Sequence, residues 1–223
     1  MQRRHLVACA PALLLGPAWA LNLSEGDANA GIRTALERGA NAAVALLGRQ
    51  DGFLRNPLVK IELPAPLRDA AKLLRATGQG ARLDELVTAM NRAAEAAVPA
   101  AKPLLLKAVR DMSVEDGVNI VRGGDDSVTQ FFTGKTREPL HAQFLPIVTR
   151  ATHRVALADK YNAVAKRVSG LGLLRDDEAN VQQYVTGKAL DGLFRMIGEE
   201  EKKIRRDPVG TGSAILRKVF GAL

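Results

Sequence analysis

Two polar clusters in this chain have the residue types and spacing for chemistry. The first is Ser113–Thr136, SVEDGVNIVRGGDDSVTQFFTGKT, two short helical stretches around a Gly-Gly-Asp-Asp knuckle. Asp125 and Asp126 lie beside flexible glycine carbonyls, an oxygen set able to hold Ca²⁺ weakly. Their competing role is to satisfy backbone N–H groups at the start of a helix over Val128–Thr133, with Ser127 and Gln130 as a capping box. Such caps are far commoner than two-carboxylate metal sites, so capping is the expected role, and Gly123 before them is expected at positive φ. Gly134-Lys135-Thr136 imitates the end of a phosphate-binding loop, but the position five residues earlier is Thr129 rather than Gly, and no strand precedes it. Gly134 reads instead as the residue that stops the short helix.

The second cluster is Asn91, Arg92 and Glu95, one helical turn of polar side chains on an otherwise Ala-rich helix. It reads first as a polar network locking that helix to a neighbour, and second as a ligand site. Lys188 and Asp191, at i,i+3 on the last long helix, allow the same two readings.

Other chemistries fail on spacing. His141 and His153 are twelve residues apart, ~120° around a helix axis, and no HExxH or Cys/His cluster exists, so no metal or other cofactor is expected. None of Ser24, Ser113, Ser127, Ser169 or Ser213 lies in GxSxG or SxxK. A pair of carboxylates for cleaving envelope glycan could be drawn from Glu95, Glu115, Asp116, Asp125, Asp126 and Asp191, but nothing in the sequence selects two of them.

The elements that must position these residues are helical. Ile32, Leu36, Ala40, Ala43, Val44 and Leu47 recur at helical spacing after a Ser24 cap, and Gly48 is placed to stop the run. Pro66 opens a second helix that Gly78 and Gly80 break. A third carries Leu83, Leu86, Val87, Met90, Ala94 and Ala97, and Pro99 and Pro103 predict a bend near Val98. A run from Leu140 to Val168 keeps its period for more than seven turns, with a kink expected at Pro146. A last long helix starts near Asp176–Glu178 and ends in an exposed acid–base stretch that includes Glu199–Lys203 and Glu201–Arg205. Asp51–Pro66 is the exception. Its prolines and partial alternation predict an extended strap laid on the helices, with no second strand to pair with. The expectation is an all-α single domain of about seven to nine helices, with kinked long helices and one short extended strap, followed by an amphipathic tail at Ile215, Leu216, Val219 and Phe220.

Composition sets the surroundings. Aromatic residues make up 4% of the 223-residue chain, which favours helix packing over a β-sandwich. Arg3 and Arg4, the apolar run Leu6–Leu15 and Ala18-Trp19-Ala20 read as a signal peptide over residues 1–20, leaving a domain over 21–223 and placing the protein in the periplasm. Lipid anchoring at Cys9 is the weaker alternative, because it leaves almost no apolar run before the cleavage point. The mature chain would then hold no cysteine, 30 basic and 24 acidic residues, a charge of +6. Those charges are interleaved and poor in aromatics, so no nucleic-acid partner is expected, and no later stretch is long and apolar enough for a transmembrane segment.

Four stretches, DGFLRNPLVKIELP (Asp51–Pro64), MNRAAEAAVPAAKPLL (Met90–Leu105), GGDDSVTQFF (Gly123–Phe132) and ALDGLFRMIGEEEKKIRRDP (Ala189–Pro208), together resemble the exported bacterial proteins of domain-of-unknown-function family 4197. The resemblance covers roughly Leu23–Phe220 and implies a mostly helical bacterial envelope protein, with no catalytic residue or ligand attached. Arg195 and Gly198 depart from its pattern, where an aromatic and an Ala are expected, and a Gly there should loosen the helix. The functional expectation is an exported, non-catalytic binding or interaction module whose partner is another envelope protein or a small apolar ligand. The alternatives are a carboxylate-dependent hydrolase of envelope glycan and a Ca²⁺-stabilised structural protein.

Overall fold

The computed structural model describes residues 25–76, 78, 80–153, 157–170, 172, 174–175 and 177–207. The expected leader, the Ser24 cap, Asp176 and the amphipathic tail lie outside the described residues. Among those described there are eight α-helices and no strand: α1 (Glu25–Leu47), α2 (Ala65–Ala76), α3 (Gly80–Ala97), α4 (Ala101–Arg110), α5 (Val114–Arg122), α6 (Ser127–Thr152), α7 (Leu157–Ser169) and α8 (Val181–Arg206). The all-α expectation is met, but the strap between α1 and α2 is extended only over residues 60–64; residues 51–59 wind through consecutive turns closed by bonds such as Arg55 N–H to the Asp51 carbonyl (3.3 Å) and Lys60 N–H to the Asn56 carbonyl (2.9 Å).

Helix α8 is the axis of the bundle. It packs along α6, α1 and α3, and Val185, Ala189, Leu190 and Leu193 on it are fully buried. Asn180 starts it by accepting the Gln183 N–H (3.0 Å), so the helix begins later than the acidic Asp176–Glu178 run suggests. Helices α3 and α4 bend into one another through a 3₁₀ turn at Val98–Ala100, as Pro99 predicts. Gly78, at φ 83°, lies between α2 and α3, whereas Gly80 is not a breaker and opens α3.

Helix α6 differs most from its sequence reading. It runs unbroken for 26 residues through Gly134, Pro139 and Pro146, so there is no separate Val128–Thr133 helix, and Gly134 stops nothing. The reason is the face on which the breakers fall. Lys135, Pro139, Ala142 and Pro146 form one exposed stripe, so the carbonyls of Lys135 and Ala142, which lose their N–H donors to the prolines, turn toward water. The opposite face buries Phe132, Leu140, Phe144 and Val148 completely. The long periodic run divides after Thr152, with α7 starting at Leu157.

Close helix approach is bought with glycine at two crossings. A Cβ on Gly198 of α8 would come 2.7 Å from Thr129 Oγ1 of α6, and one on Gly117 of α5 would come 2.6 Å from Asn29 Oδ1 of α1. Gly198, a departure from the expected Ala, therefore tightens the α6–α8 crossing, contrary to the loosening read from propensity alone. No helix among the described residues is long and apolar enough to cross a membrane.

Candidate functional site

The strap is held as firmly as a strand without a partner strand. After α1 the chain reverses at Asp51, the one non-glycine residue with positive φ among those described (66°), a conformation Asp tolerates better than most residues. Phe53 is then driven into the core with no exposed surface. Glu95 of α3, itself 5% exposed, accepts the Phe53 N–H (3.0 Å) and the Leu54 N–H (3.1 Å) on Oε1. Its Oε2 takes Arg92 Nη1 (2.6 Å), and Arg92 Nη2 reaches Asp51 (2.6 Å), so one guanidinium ties the helix to the start of the strap. The two carboxylates, Glu95 first, hold the Arg92 pKa above its usual range.

Asn91 does the work of a missing neighbouring strand. Its Oδ1 accepts the Ile61 N–H and its Nδ2 donates to the Ile61 carbonyl, both at 2.8 Å, while Nδ2 also donates to Val87 O of its own helix. The residue is fully buried, and this pairing satisfies both backbone groups of Ile61. From α8, Tyr184 donates to the Glu62 carbonyl (2.8 Å) and Arg195 to the Leu58 carbonyl (2.8 Å). Gly192 lets α8 approach, since a Cβ there would sit 2.7 Å from Phe53 Cε1. Asn91, Arg92 and Glu95 are thus brought together as the locking network of the first reading, and the element they lock is the strap.

Between the strap and α8 lies an open groove of about 690 Å³. Lys60, Glu62, Arg68, Glu178, Lys188, Asp191 and Arg195 bring both signs of charge to it. Lys188 stands over the Tyr184 ring (5.7 Å to the centroid), and Asp191 is held by Arg137 of α6 (2.7 Å), with Lys188 at 4.0 Å. Burial, with a smaller push from Glu178, raises the Tyr184 pKa to about 12, so its hydroxyl keeps the proton it gives to Glu62. Lys188 and Asp191, both exposed, line this groove, away from the Asn91–Glu95 network.

The Gly-Gly-Asp-Asp knuckle is built differently from its sequence reading. Asp126 occupies the N-cap position of α6 without making a side-chain cap; it accepts from Gln130 Nε2 instead (2.8 Å). Gly123 has φ −76° and ψ 164°, so positive φ is not its reason. A Cβ there would meet Ser127 Cβ at 2.5 Å. Asp126 and Gln130 line a shallow hollow between α5 and α6, while Asp125 is exposed beside it. Among the described residues no three His, Cys, Asp or Glu side chains converge as metal ligands.

What the sequence concealed is the group at the foot of α6. Glu201 reads as part of an exposed acid–base stretch, yet it is 6% exposed and lies against the first turn of α6. Arg205 donates to Glu201 Oε1 (2.9 Å), to the Ser127 hydroxyl (2.9 Å) and to the Ile120 carbonyl (2.8 Å), tying α5, α6 and α8 together. Glu201 Oε2 is buried with no hydrogen-bond donor, beside an apolar cavity of about 20 Å³ lined by Ile32, Leu36 and Ile197. Burial pushes the Glu201 carboxyl above its usual range, against the pull of Arg205 and Ser127. The helical period placed Ile197 and Ile204 on the buried face, and Glu201 lies between them at i+4 and i−3. That register was the available signal.

Of the six acids considered for glycan cleavage, Glu95 is consumed by the strap, Asp116 by a capping box with Ser113, Asp126 by Gln130 and Asp191 by Arg137. Burial pushes the Asp116 carboxyl up, but the bonds from Ser113 and the nearby Lys135 outweigh it and hold the group below its usual range. Glu115 and Asp125 are exposed. The acid pushed upward, Glu201, is outside this set.

A family model described as a protein of unknown function, DUF4197, matches residues 22–221. The chain belongs to that family. No curated protein and no solved structure matches it. In this DUF4197 member the four stretches that carry the resemblance form two joints. Asp51–Pro64 is the strap, clamped by Asn91, Arg92 and Glu95 from the second stretch and by Arg195 from the fourth. Ser127 from the third stretch is clamped by Arg205 from the fourth.

Proposed function

We propose that this DUF4197 protein is an exported, non-catalytic binding module, and that the groove between the strap and α8 receives a segment of another envelope protein. The observation that carries the reading is the construction of that groove. One wall is the strap from Leu58 to Glu62, whose backbone is held without a partner strand by Asn91, Tyr184 and Arg195, and the rim carries both cationic and anionic side chains. A mixed-charge rim suits a polar peptide, whose own charges set register and partner choice. The apolar-ligand version has less support: the apolar cavity beside Glu201, at about 20 Å³, has room for one water, not for an acyl chain. Export is supported by Arg3–Arg4, the Leu6–Leu15 run and Ala18-Trp19-Ala20.

Photo-crosslinking in the native cell envelope tests the reading. A benzophenone side chain at Leu58 or Lys188 should capture one discrete protein that the same group at Lys102 on α4 does not. Asp191→Arg combined with Lys60→Glu should remove the adduct while costing no more stability than the exposed Arg137 pair supplies, ~0–1 kcal/mol. Identical adducts from Lys102, or none from the groove, would overturn it. N-terminal sequencing of the periplasmic protein should begin at Leu21, and an uncleaved cytoplasmic chain would overturn export.

A further inference from the structure

Helix α5 presents an apolar stripe whose first two residues, Val114 and Val118, are exposed, while the third, Val121, packs against the core. Val114, Val118 and Val121 lie at i, i+4 and i+7, and Val114 is 56% and Val118 40% exposed. They are two of the three large hydrophobic residues exposed among those described, the third being Leu58. The stripe forms one wall of a groove of about 170 Å³, completed by Gly117 and by Asn29 and Ile32 of α1. Asn29 Oδ1 is buried at its floor with no hydrogen-bond donor. A nine-residue helix is marginal by itself, and α5 buries only Gly117 and Ile120 while Val114 and Val118 stay exposed.

We propose that the chain's own C-terminal segment, residues 208–223, docks in this groove. Two observations choose this occupant over others. The first is position: α8 delivers the chain to α5, because Arg205 in its last turn donates to the Ile120 carbonyl of α5 (2.8 Å), and Asp207 is two residues further on. The eight residues from Asp207 to Ile215 can span up to ~28 Å, while Val114 lies only ~9 Å along α5 from Ile120. The second is pattern: Ile215, Leu216, Val219 and Phe220 fall at i, i+1, i+4 and i+5, one apolar helical face matched in length to the Val114–Val121 stripe. The docked tail would cover α5 and hold it against α1. The proposal is independent of the strap groove and its partner.

The test uses the full-length chain with Cys9 replaced by Ser. Val118→Cys is paired with Val219→Cys or with Phe220→Cys and oxidised with copper phenanthroline at micromolar protein. A docked tail gives a disulfide within one chain, seen as monomer by size and as loss of two hydrogens by mass, because tethering raises the effective concentration to about millimolar. A control pairing Leu58→Cys with Phe220→Cys should lag by about tenfold or more. Independently, Val118→Cys should react with a maleimide several-fold faster when Ile215→Glu and Phe220→Glu are added, because the cover is lost. Disulfide-linked dimers would assign the groove to a second copy and overturn the proposal. Crosslinking no faster than the control, or maleimide rates indifferent to the tail substitutions, would overturn it as well.

Discussion

Replacing Glu95 tests whether the strap is held by the carboxylate network rather than by the apolar side chains it carries inward. In Glu95→Ala three donors lose their acceptor: the Phe53 N–H, the Leu54 N–H and one arm of Arg92. Phe53 is fully buried, so its N–H cannot turn to water. An orphaned buried donor costs ~1–3 kcal/mol, and breaking a buried charge pair from one side costs ~3–5 kcal/mol. Leu54 and Arg92 are half-buried and recover some hydration, and Arg92 keeps Asp51, so the sum falls at ~3–5 kcal/mol. Glu95→Gln keeps one carbonyl oxygen for both N–H groups and loses only the ionic half, ~1–2 kcal/mol. Against a total of ~5–15 kcal/mol for a domain, the alanine variant is close to unfolding while the glutamine variant is comfortably folded. Urea denaturation gives the two differences, and hydrogen exchange at the Phe53 and Leu54 amides shows whether the loss is local. An alanine variant within ~1 kcal/mol of wild type, or a glutamine variant as damaged as alanine, would refute the reasoning.

Gly192→Ala and Gly187→Ala, five residues apart on α8, should shift stability in opposite directions. The first drives a methyl against Phe53 and costs ~1–3 kcal/mol, whereas the second meets nothing within 4 Å and gains ~0.5–1 kcal/mol of helix propensity, both read by thermal melts. Asp126→Ala should change urea stability by less than ~0.5 kcal/mol because it makes no cap, while Ser113→Ala, which breaks the α5 capping box, should cost ~1 kcal/mol. Glu201 carries a pH signature. Its folded pKa is raised, so the folded state holds the proton more tightly than the unfolded one; its contribution is full below the unfolded value of ~4.3 and is lost as pH rises through the folded value. Glu201→Gln should therefore flatten the fall in stability across that window, and a difference between the two chains that does not vary with pH would contradict it.

The parts legible in the sequence were those set by local pattern. Ile32–Leu47, Leu83–Ala97 and Val181–Ile197 carry a 3.6-residue period, and Pro57 and Pro64 keep a regular helix out of the strap. The errors share one physical cause, which is that exposure is set by the whole bundle. Gly134 stops a helix by local rules, but α6 continues through it and through Pro139 and Pro146, whose freed carbonyls face water and cost little. Asp126 has the right type and place for a cap, yet the foot of α6 is served by Glu201, 74 residues away from Ser127. The network of Asn91, Arg92 and Glu95 was readable as buried polar residues on an Ala-rich helix. Its partner was not, because one sequence does not say which backbone a side-chain amide will pair with.

The clamp on the strap bears on function through what it forgoes. A bundle of this size could close the gap between α1 and α2 with a short exposed loop, at no cost in buried polar groups. This chain instead sinks Phe53, Val59 and Ile61 into the core and commits Asn91 and Glu95, both nearly or fully buried, to satisfying an unpaired backbone. Replacing a well-made buried polar network with apolar side chains is often neutral or stabilising, so stability alone gives weak reason to keep one. What such a network supplies is a single backbone position: Ile61 cannot shift register without breaking both bonds to Asn91, and Leu58 and Glu62 are fixed from the other side by Arg195 and Tyr184. A wall fixed from both sides is worth its cost where something must be met in one geometry. That is why the groove beside it, and not the acidic knuckle, is where a partner should be sought.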